Sequence, residues 1–508
     1  MGKFMEVLTN VNSAINEFVW VKIGLILLVG TGSLMTCCTK VFQLGHIGHW
    51  WKKTIVSVFK KDGQATKSTD KKSISQFQAL CTALAATIGT GNIAGVAAAI
   101  VIGGSGAVFW MWFAAFLGMM TNFSENVLGI YFRRRNKDGE WSGGAMYYLK
   151  DGLGKKKGCK QIGSVLAVLF AIFTILASFG IGNMGQVNKI TLNMQSAFFK
   201  DANILGTVAG IPVINIIIGL ALVALAGVII IGGLKRIASF AERVVPFMAI
   251  AYVIGALVLI GINYAQVPAA FASIFREAFS LEAGLGGLIG TAIVQGCKRG
   301  VFSNEAGLGS SVMVHSSSDV KEPVRQGMWG IFEVFADTFV VCTMTALVVL
   351  TSGYINLDTG KAIGTVNDAT LVSQTFGNTF GVFGEWFVAI AMLLFAFTTV
   401  LGWSQYGSKA VEYLFGTKGV KVYKVIFVAM VISGAVMTSS IAWDISDTFN
   451  GLMMVPNLIG VVVLFPLVAK IVNNYVRRRI HGKDEKAMLS YDADIQAEME
   501  EAIARGEE

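Results

Sequence analysis

The sequence predicts an all-α polytopic membrane protein with eleven transmembrane helices, arranged as one extra N-terminal helix followed by two inverted repeats of five helices. Three observations support this prediction. Apolar residues make up 54% of the 508 residues, charged residues make up 14%, and the mean hydropathy is +0.63, well outside the soluble globular range. Basic residues cluster between long apolar runs. Two of these runs carry glycines and polar side chains at mid-membrane depth, which indicates two broken helices.

Each predicted span is an apolar run of roughly 17 residues or more, the length that crosses about 30 Å of hydrocarbon. Basic clusters such as 133–135 and 477–479 all fall on the same side of the membrane, and such loops are cytoplasmic. We therefore expect a multi-pass protein of the cytoplasmic (inner) membrane with its N-terminus outside and its C-terminus inside. The predicted spans are 19–38, 76–102, 107–132, 162–187, 204–233, 244–264, 284–314, 327–350, 381–414, 425–441 and 449–473.

The centre of the second span, 85–95, reads AATIGTGNIAG. Two glycines weaken a helix, and Thr90 and Asn92 are polar groups at bilayer depth. A helix broken at mid-membrane explains the pattern, because irregular backbone is tolerated there only where it lines a cavity or is buried in protein. Its freed N–H groups would then form an anion site. The alternative is a small-residue packing face between intact helices.

A second interrupted span contains GCKRGVFSNEAGLGS at 296–310. Two interrupted spans in corresponding positions of two five-span halves indicate an inverted-repeat transporter with its site at the midplane. The charged tail predicts a short solvated helix. The predicted organisation is the extra helix with a basic loop (1–75), the first repeat (76–265), the second repeat (266–475) and the cytoplasmic tail (476–508).

Two cations, Lys298 and Arg299, lie within this second interrupted span, where an unpaired cation costs several kcal/mol. Glu305 is the nearest carboxylate in sequence, and Glu333 and Asp337 share one face of the next span. We expect these groups to form a structural ion-pair network rather than to contact a substrate.

Adjacent hydroxyls of Thr398 and Thr399 lie in the middle of the span 381–414. Together with carbonyls freed by a broken helix, they can coordinate a hard monovalent cation, which prefers oxygen ligands. The alternative is that each hydroxyl bonds to its own helix one turn earlier. Phe179 and Gln186 flank a glycine-interrupted run and are candidates for the wall of the same cavity, although such aromatic residues are more often packing.

Metal, disulfide, nucleic-acid and enzymatic functions receive no support. The six Cys and four His are scattered without the spacing of a metal site or a disulfide framework. The net charge of +9 comes from basic residues between spans, which encode topology rather than nucleic-acid binding. We therefore expect a protein that is not an enzyme, has no cofactor and is surrounded by membrane lipids.

Five motifs, in order and covering about 77–473, resemble the alanine or glycine:cation symporter family. That family belongs to the amino acid–polyamine–cation superfamily, and the resemblance implies the LeuT-type fold of five plus five inverted helices. The tail beyond Arg479 is longer than this fold requires. The motifs lie at 79–95, 106–112, 140–148, 298–310 and 398–403.

The resemblance implies roles for single residues. The backbone N–H groups of Gly89, Thr90 and Gly91, with the Thr hydroxyl, would bind the substrate carboxylate. The side-chain pocket would be walled by Phe179, Phe302, Thr399 and Trp403. The principal sodium site would combine the hydroxyls of Thr398 and Thr399 with the carbonyls of Ala85 and Ile88, and Asn92 and Ser303 would form a second cation or substrate contact.

The expected function is sodium-coupled import of a small neutral amino acid, alanine or glycine, by alternating access, with Na+ as the coupling ion. One alternative is symport of another small solute, either a proton-coupled amino acid or a nucleobase. A nucleobase site would need stacking aromatic rings and paired amides instead of an anion site. A channel or an intramembrane enzyme is the alternative from another class.

Overall fold

The computed structural model describes residues 2–60, 65–199, 204–279, 288–364, 370–437 and 441–507. Among these residues, seven helices are long and apolar enough to cross a membrane, and nine when each of two bent helix pairs counts as one span. The predicted class, a helical polytopic membrane protein, is confirmed. The number of eleven spans and the inverted repeat stay predictions.

Among its described residues, the first part of the chain is mostly helical and contains two short antiparallel β-ladders, β1–β2 and β3–β4. π-helical segments, Phe18–Gly24, Gly91–Gly95, Tyr148–Gly152 and Gly180–Met184, interrupt or join the α-helices. The elements are α1 (Gly2–Glu17), α2 (Leu25–Cys38), α3 (Phe42–Gly45), α4 (Ile47–Lys53), α5 (Ile55–Val58), α6 (Gln76–Thr87), α7 (Val96–Gly103), α8 (Ala107–Tyr131), β1 (Arg134–Arg135), β2 (Trp141–Ser142), α9 (Ala145–Tyr147), α10 (Lys160–Phe179), α11 (Gly185–Phe198), β3 (Thr207–Val208), β4 (Ile211–Pro212), α12 (Val213–Ile231), α13 (Gly233–Ile262) and α14 (Val267–Ala278).

The second part contains one antiparallel ladder, β5–β6, and the π-helical segments Phe335–Cys342 and Val476–Ile480. Two predicted spans, 381–414 and 425–441, largely coincide with one long helix that is kinked at Gly416, where φ is 73°. The elements are α15 (Leu288–Asn304), α16 (Val312–His315), α17 (Pro323–Val334), α18 (Thr343–Leu350), β5 (Ile355–Asn356), β6 (Lys361–Ala362), α19 (Leu371–Phe380), α20 (Val382–Val436), α21 (Ile441–Val463), α22 (Phe465–Tyr475) and α23 (Ala493–Ala504).

The predicted break in the second span is confirmed. Helix α6 begins with a capping box, because the Ser75 hydroxyl accepts from the N–H of Gln78 while the Gln78 side chain accepts from the N–H of Ser75. It ends at Ile88, which leaves the helical region (φ −75°, ψ 91°). The chain then turns by 55° into Gly91–Gly103. Neither Gly89 nor Gly91 has a positive φ, so neither position requires glycine for its backbone angles.

The second interrupted span is also broken. After α15 the chain leaves the helix at Glu305, Gly307 and Gly309, which have φ of 55°, 94° and 70°. A non-glycine residue in this left-handed region is uncommon. The chain forms the short helix α16 before Pro323 starts α17. The two breaks lie against each other, because a Cβ atom built at Gly91 would lie 3.2 Å from the ring of Phe302.

The C-terminal tail forms the predicted helix, α23, but this helix is docked rather than solvated. Its residues Ile495 and Met499 are buried in a small cluster with Trp141 and Leu489. Arg133 and Arg135 lie over the Trp141 ring, 3.9 and 3.8 Å from its centre. The expectation of a solvated helix is wrong because the apolar face of α23 has a partner in β2, far away in sequence.

Near this helix, the buried carboxylate of Asp319 connects two segments of the chain. It accepts hydrogen bonds from Lys321 at 2.6 Å and from the N–H of Thr69 at 2.6 Å. Burial opposes ionisation of Asp319, but these hydrogen bonds and the positive charge of Lys321 outweigh it, so that the pKa of Asp319 is well below its usual range. The segment before α6 is thus tied to the segment before α17.

Candidate substrate and cation site

The break after α6 presents backbone N–H groups to polar side chains. The N–H of Gly89 donates to Oδ1 of Asn92 at 2.9 Å, and the N–H of Thr90 donates to Oε1 of Gln186 at 3.3 Å. All four residues are buried. Side-chain oxygens therefore accept from two of the three N–H groups that the resemblance assigns to binding of a substrate carboxylate. Backbone donors at a broken helix are suited to such an anion.

Four oxygen atoms come together between this break and α20. The hydroxyl of Thr399 lies 3.4 Å from the carbonyl oxygen of Ile88 and 2.9 Å from that of Phe395. The hydroxyl of Thr398 lies 3.0 Å from the same Phe395 oxygen. Both threonines bond to their own helix, as the alternative interpretation has it, but Thr399 also reaches across to α6. Neutral oxygens in this arrangement are ligands that a hard cation prefers.

The helices α6 and α20 approach closely at this point. A Cβ atom built at Gly402 would lie 2.8 Å from the backbone nitrogen of Ala86. Ala85, the other predicted carbonyl ligand, is buried one residue earlier on α6. The sequence analysis missed the carbonyl of Phe395, although the spacing could have indicated it, because threonine hydroxyls commonly bond to the carbonyl three or four residues earlier.

Asp337 joins the two breaks. Its Oδ1 accepts from the side-chain amide of Asn92 at 2.6 Å, and its Oδ2 accepts from the hydroxyls of Ser303 at 2.8 Å and Thr338 at 2.9 Å. The side chain is completely buried. The structure thus brings Asn92 and Ser303 together around a carboxylate that the sequence analysis had placed in an ion-pair network.

The prediction of an ion-pair network between these carboxylates and the two cations of the second interrupted span is wrong. Lys298 instead binds Asp447 at 2.7 Å and Oδ1 of Asn16 at 3.2 Å, both far away in sequence. Within the described part of the chain, no Lys or Arg pairs with Glu305, Glu333 or Asp337. Glu305 accepts a hydrogen bond from the hydroxyl of Ser310 at 2.5 Å, and Glu333 is hydrogen-bonded to the ring of His315 at 2.9 Å. Both carboxylates thus have polar partners other than Lys or Arg.

Of the predicted aromatic residues, Phe302 lies at the break. It lines a cavity of about 80 Å³ together with Thr90, Gly91, Lys189 and Arg299. Trp403 lies one turn after Thr399 and packs closely on Gly182, where a Cβ atom would lie 2.4 Å from the Trp403 side chain.

Phe179 does not share this cavity. Its ring packs against Tyr423 and Phe427, with ring centres 5.4 and 5.9 Å away. The structure therefore brings together Gly89, Thr90, Gly91, Gln186 and Phe302, places Trp403 nearby, and does not bring Phe179 to them.

Two broken helices in contact, with a buried polar site between them, are typical of secondary transporters, and the resemblance in the sequence implies the LeuT-type fold. The solved structure of MhsT in complex with L-phenylalanine supports the fold, with a TM-score of 0.52, 14% sequence identity, and coverage of 80% of this chain and 99% of that chain. The model of the sodium:alanine symporter family matches residues 5–489. The chain belongs to that family.

Several curated relatives match nearly the whole chain. The sodium/alanine symporter AgcS of Methanococcus maripaludis is 42% identical over 464 residues, which cover 91% of this chain and 96% of the relative. The probable sodium/glutamine symporter GlnT of Bacillus subtilis is 35% identical (94% and 93%), and the putative sodium/proton-dependent alanine carrier protein YrbD of Bacillus subtilis is 36% identical (93% of each). The chain is therefore a sodium-coupled amino-acid symporter of the membrane, a class of transporter and not of enzyme.

Proposed function

We propose that this symporter imports small neutral amino acids, alanine and glycine, together with Na+ across the cytoplasmic membrane. Eleven spans in a five-plus-five inverted repeat, with the N-terminus outside, would move the site between the two faces by alternating access. One observation carries the proposal. The break at Ile88 presents N–H groups on one side and a carbonyl on the other, so that a substrate carboxylate and a cation can bind next to each other.

In this proposal the substrate carboxylate accepts from the N–H groups of Gly89, Thr90 and Gly91 and from the Thr90 hydroxyl. The oxygen of Gln186 accepts from Thr90 at 3.3 Å and would give way to the carboxylate. The amide of Gln186 donates to the carbonyl of Ile181 at 3.1 Å and holds the side chain beside the break. At the N–H groups of Gly89 and Thr90, a substrate oxygen replaces a hydrogen bond that is already made, and backbone donors at a broken helix are suited to an anionic group.

The cation in this proposal is held by the hydroxyls of Thr398 and Thr399 and the carbonyls of Ala85, Ile88 and Phe395. Because Ile88 directly precedes the N–H donor Gly89, an ion that fixes the carbonyl of Ile88 also fixes the donors. Asn92, Ser303 and Asp337 would form the second polar contact. We assign it to a cation, because a buried carboxylate is stabilised by a positive charge.

Uptake into proteoliposomes tests the proposal. We expect an inward sodium gradient to drive accumulation of radiolabelled alanine, with glycine as an effective competitor. Glutamine and a nucleobase test the other substrate classes, and a proton gradient at zero sodium tests proton coupling. Accumulation of glutamine but not alanine, or uptake driven by protons alone, would contradict it.

The threonine pair provides a graded prediction. Thr399→Val should lower sodium affinity more than Thr398→Ala, because only Thr399 reaches the carbonyl of Ile88. Loss of one buried oxygen contact costs about 1–3 kcal/mol, which corresponds to roughly 5- to 150-fold in apparent affinity. Sodium titration of uptake measures it. Thr174→Val is the control, because the buried Thr174 hydroxyl bonds to Phe170 of its own helix, α10. Equal sodium dependence in all variants would remove these hydroxyls from the site.

The pocket wall provides a second prediction. Trp403→Leu should admit larger side chains, such as valine, because each methylene buried in the new space contributes about 0.8 kcal/mol. Competition of unlabelled amino acids against alanine uptake measures the change. Phe179→Leu is the matched control, since Phe179 packs on Tyr423 and Phe427. If valine competes no better in Trp403→Leu than in the unmodified protein, the pocket wall lies elsewhere.

A further inference from the structure

A large apolar groove lies between α6, α13 and the α17 region. Its volume is about 450 Å³, several times that of the cavity beside Thr90, and its lining is almost entirely apolar. Leu80 and Leu84 of α6, with Ile88 directly after it, form one wall, and Ala249 and Ile254 of α13 face them. Ile254 is 55% exposed, so the groove opens towards the surroundings of the protein.

The length of the groove matches one leaflet of a bilayer. Along α6 its lining runs from Phe77 to Ile88, which at 1.5 Å per residue is about 16 Å. The hydrocarbon core of a bilayer is about 30 Å thick. The groove is therefore about as long as one leaflet's hydrocarbon is thick, which is the depth that a single acyl chain occupies.

The end of the groove near Trp51 and Phe59 is basic and aromatic. Trp51 and Phe59 line it, and the exposed Lys52 and Lys60 are their neighbours in sequence. Arg243, exposed on α13, lies three residues before the lining residue Pro246 and so on the same face of the helix. Glu242 is an acidic neighbour of Arg243, but the three basic residues outnumber it. Trp and basic side chains are typical of the membrane interface, and such cations attract anionic lipid headgroups.

We propose that this groove binds one acyl chain of an anionic phospholipid, with its headgroup at Lys52, Lys60 and Arg243. At the end away from Trp51, the groove reaches Ile88, whose carbonyl oxygen lies 3.4 Å from the hydroxyl of Thr399. A bound chain packs along α6 and opposes its movement towards α13. Lipid occupancy thereby stabilises the position of the Ile88 carbonyl. This effect on sodium rests on the proposed function, whereas lipid binding itself does not.

Photocrosslinking tests the binding. The full chain is placed in nanodiscs with phosphatidylglycerol that carries a diazirine in its acyl chain, or with phosphatidylcholine of the same chains, and labelled peptides are mapped. We expect labelling of the α6 and α13 walls, stronger with phosphatidylglycerol. Ala249→Trp should abolish it by filling the groove. Leu257→Trp, on an exposed position of α13 outside the groove, should not.

The headgroup is tested without filling the groove. Neutralising Lys52 and Lys60 with Gln should reduce the preference for phosphatidylglycerol by about fivefold per lysine, whereas Lys421→Gln, at an exposed lysine elsewhere, should have no effect. Labelling spread evenly over exposed faces of α12 and α13, or unchanged by Ala249→Trp, would overturn the proposal.

Sodium titration of alanine uptake in the two lipids separates this proposal from the proposed function. We expect weaker apparent sodium affinity in phosphatidylcholine and in Ala249→Trp. Groove labelling without sodium-driven uptake would retain the lipid site and reject the proposed function. Groove labelling with sodium affinity that is the same in both lipids would overturn the link to Ile88.

Discussion

Gly89→Ala should abolish measurable alanine binding. A Cβ atom at this position would lie 2.5 Å from the hydroxyl of Thr399 and 3.4 Å from Oε1 of Gln186. The Thr399 hydroxyl cannot move away without losing its contacts to Phe395 and Ile88. Overpacking of this kind costs about 1–3 kcal/mol. Because the same methyl group disturbs both the cation oxygens and the carboxylate donors, we expect the two losses to combine to at least about 100-fold in affinity.

Calorimetric titration of alanine at saturating sodium, with thermal stability measured on the same preparation, checks this result. Gly30→Ala is the control, because Gly30 is an exposed position within α2, away from the break, and has no atom within 4 Å of its built Cβ. Gly91→Ala should be intermediate, since only the ring of Phe302 at 3.2 Å must yield. Normal binding by Gly89→Ala would reject the site at the break. A protein that is only unstable would favour a packing face.

Asp337→Asn should produce the second large loss. The carboxylate accepts hydrogen bonds from Asn92, Ser303 and Thr338, and an amide at this position turns one acceptor into a donor. A buried donor that faces another donor costs about 1–3 kcal/mol, and more for a charged group. We expect sodium-driven uptake to fall by about 10- to 100-fold, with a change in its sodium dependence.

The sodium dependence separates a role in the site from a structural role. Asp358→Asn, the same substitution at an exposed position between β5 and β6, should leave uptake and its sodium dependence unchanged. If Asp337→Asn lowers thermal stability but keeps the original sodium half-saturation in the residual uptake, Asp337 supports the breaks without taking part in cation binding.

The sequence was sufficient for the features that have a local physical cause. Glycines with Thr90 and Asn92 at bilayer depth predict the first break, and the structure places it at Ile88. Charge distribution and hydropathy predict a polytopic helical protein. The threonine pair predicts hydroxyls that face the first break, and the hydroxyl of Thr399 contacts the carbonyl of Ile88.

The features that depend on distant contacts could not be predicted in this way. Lys298 binds Asp447, more than a hundred residues later, so the nearest carboxylate in sequence was the wrong partner. The side chain of Phe179 turns towards Tyr423, and helical spacing does not indicate that direction. The apolar residues of α23 do not indicate from the sequence that the helix is docked, because their partner Trp141 lies in β2, far away along the chain.

The central claim is that substrate and sodium bind at adjacent positions of one broken helix and stabilise each other. Titration of alanine into the purified protein at increasing sodium, with choline keeping the ionic strength constant, tests it most directly. We predict that the alanine Kd falls as sodium rises, and that alanine increases sodium affinity by the same factor, as linkage requires. An alanine Kd that is independent of sodium would contradict the account.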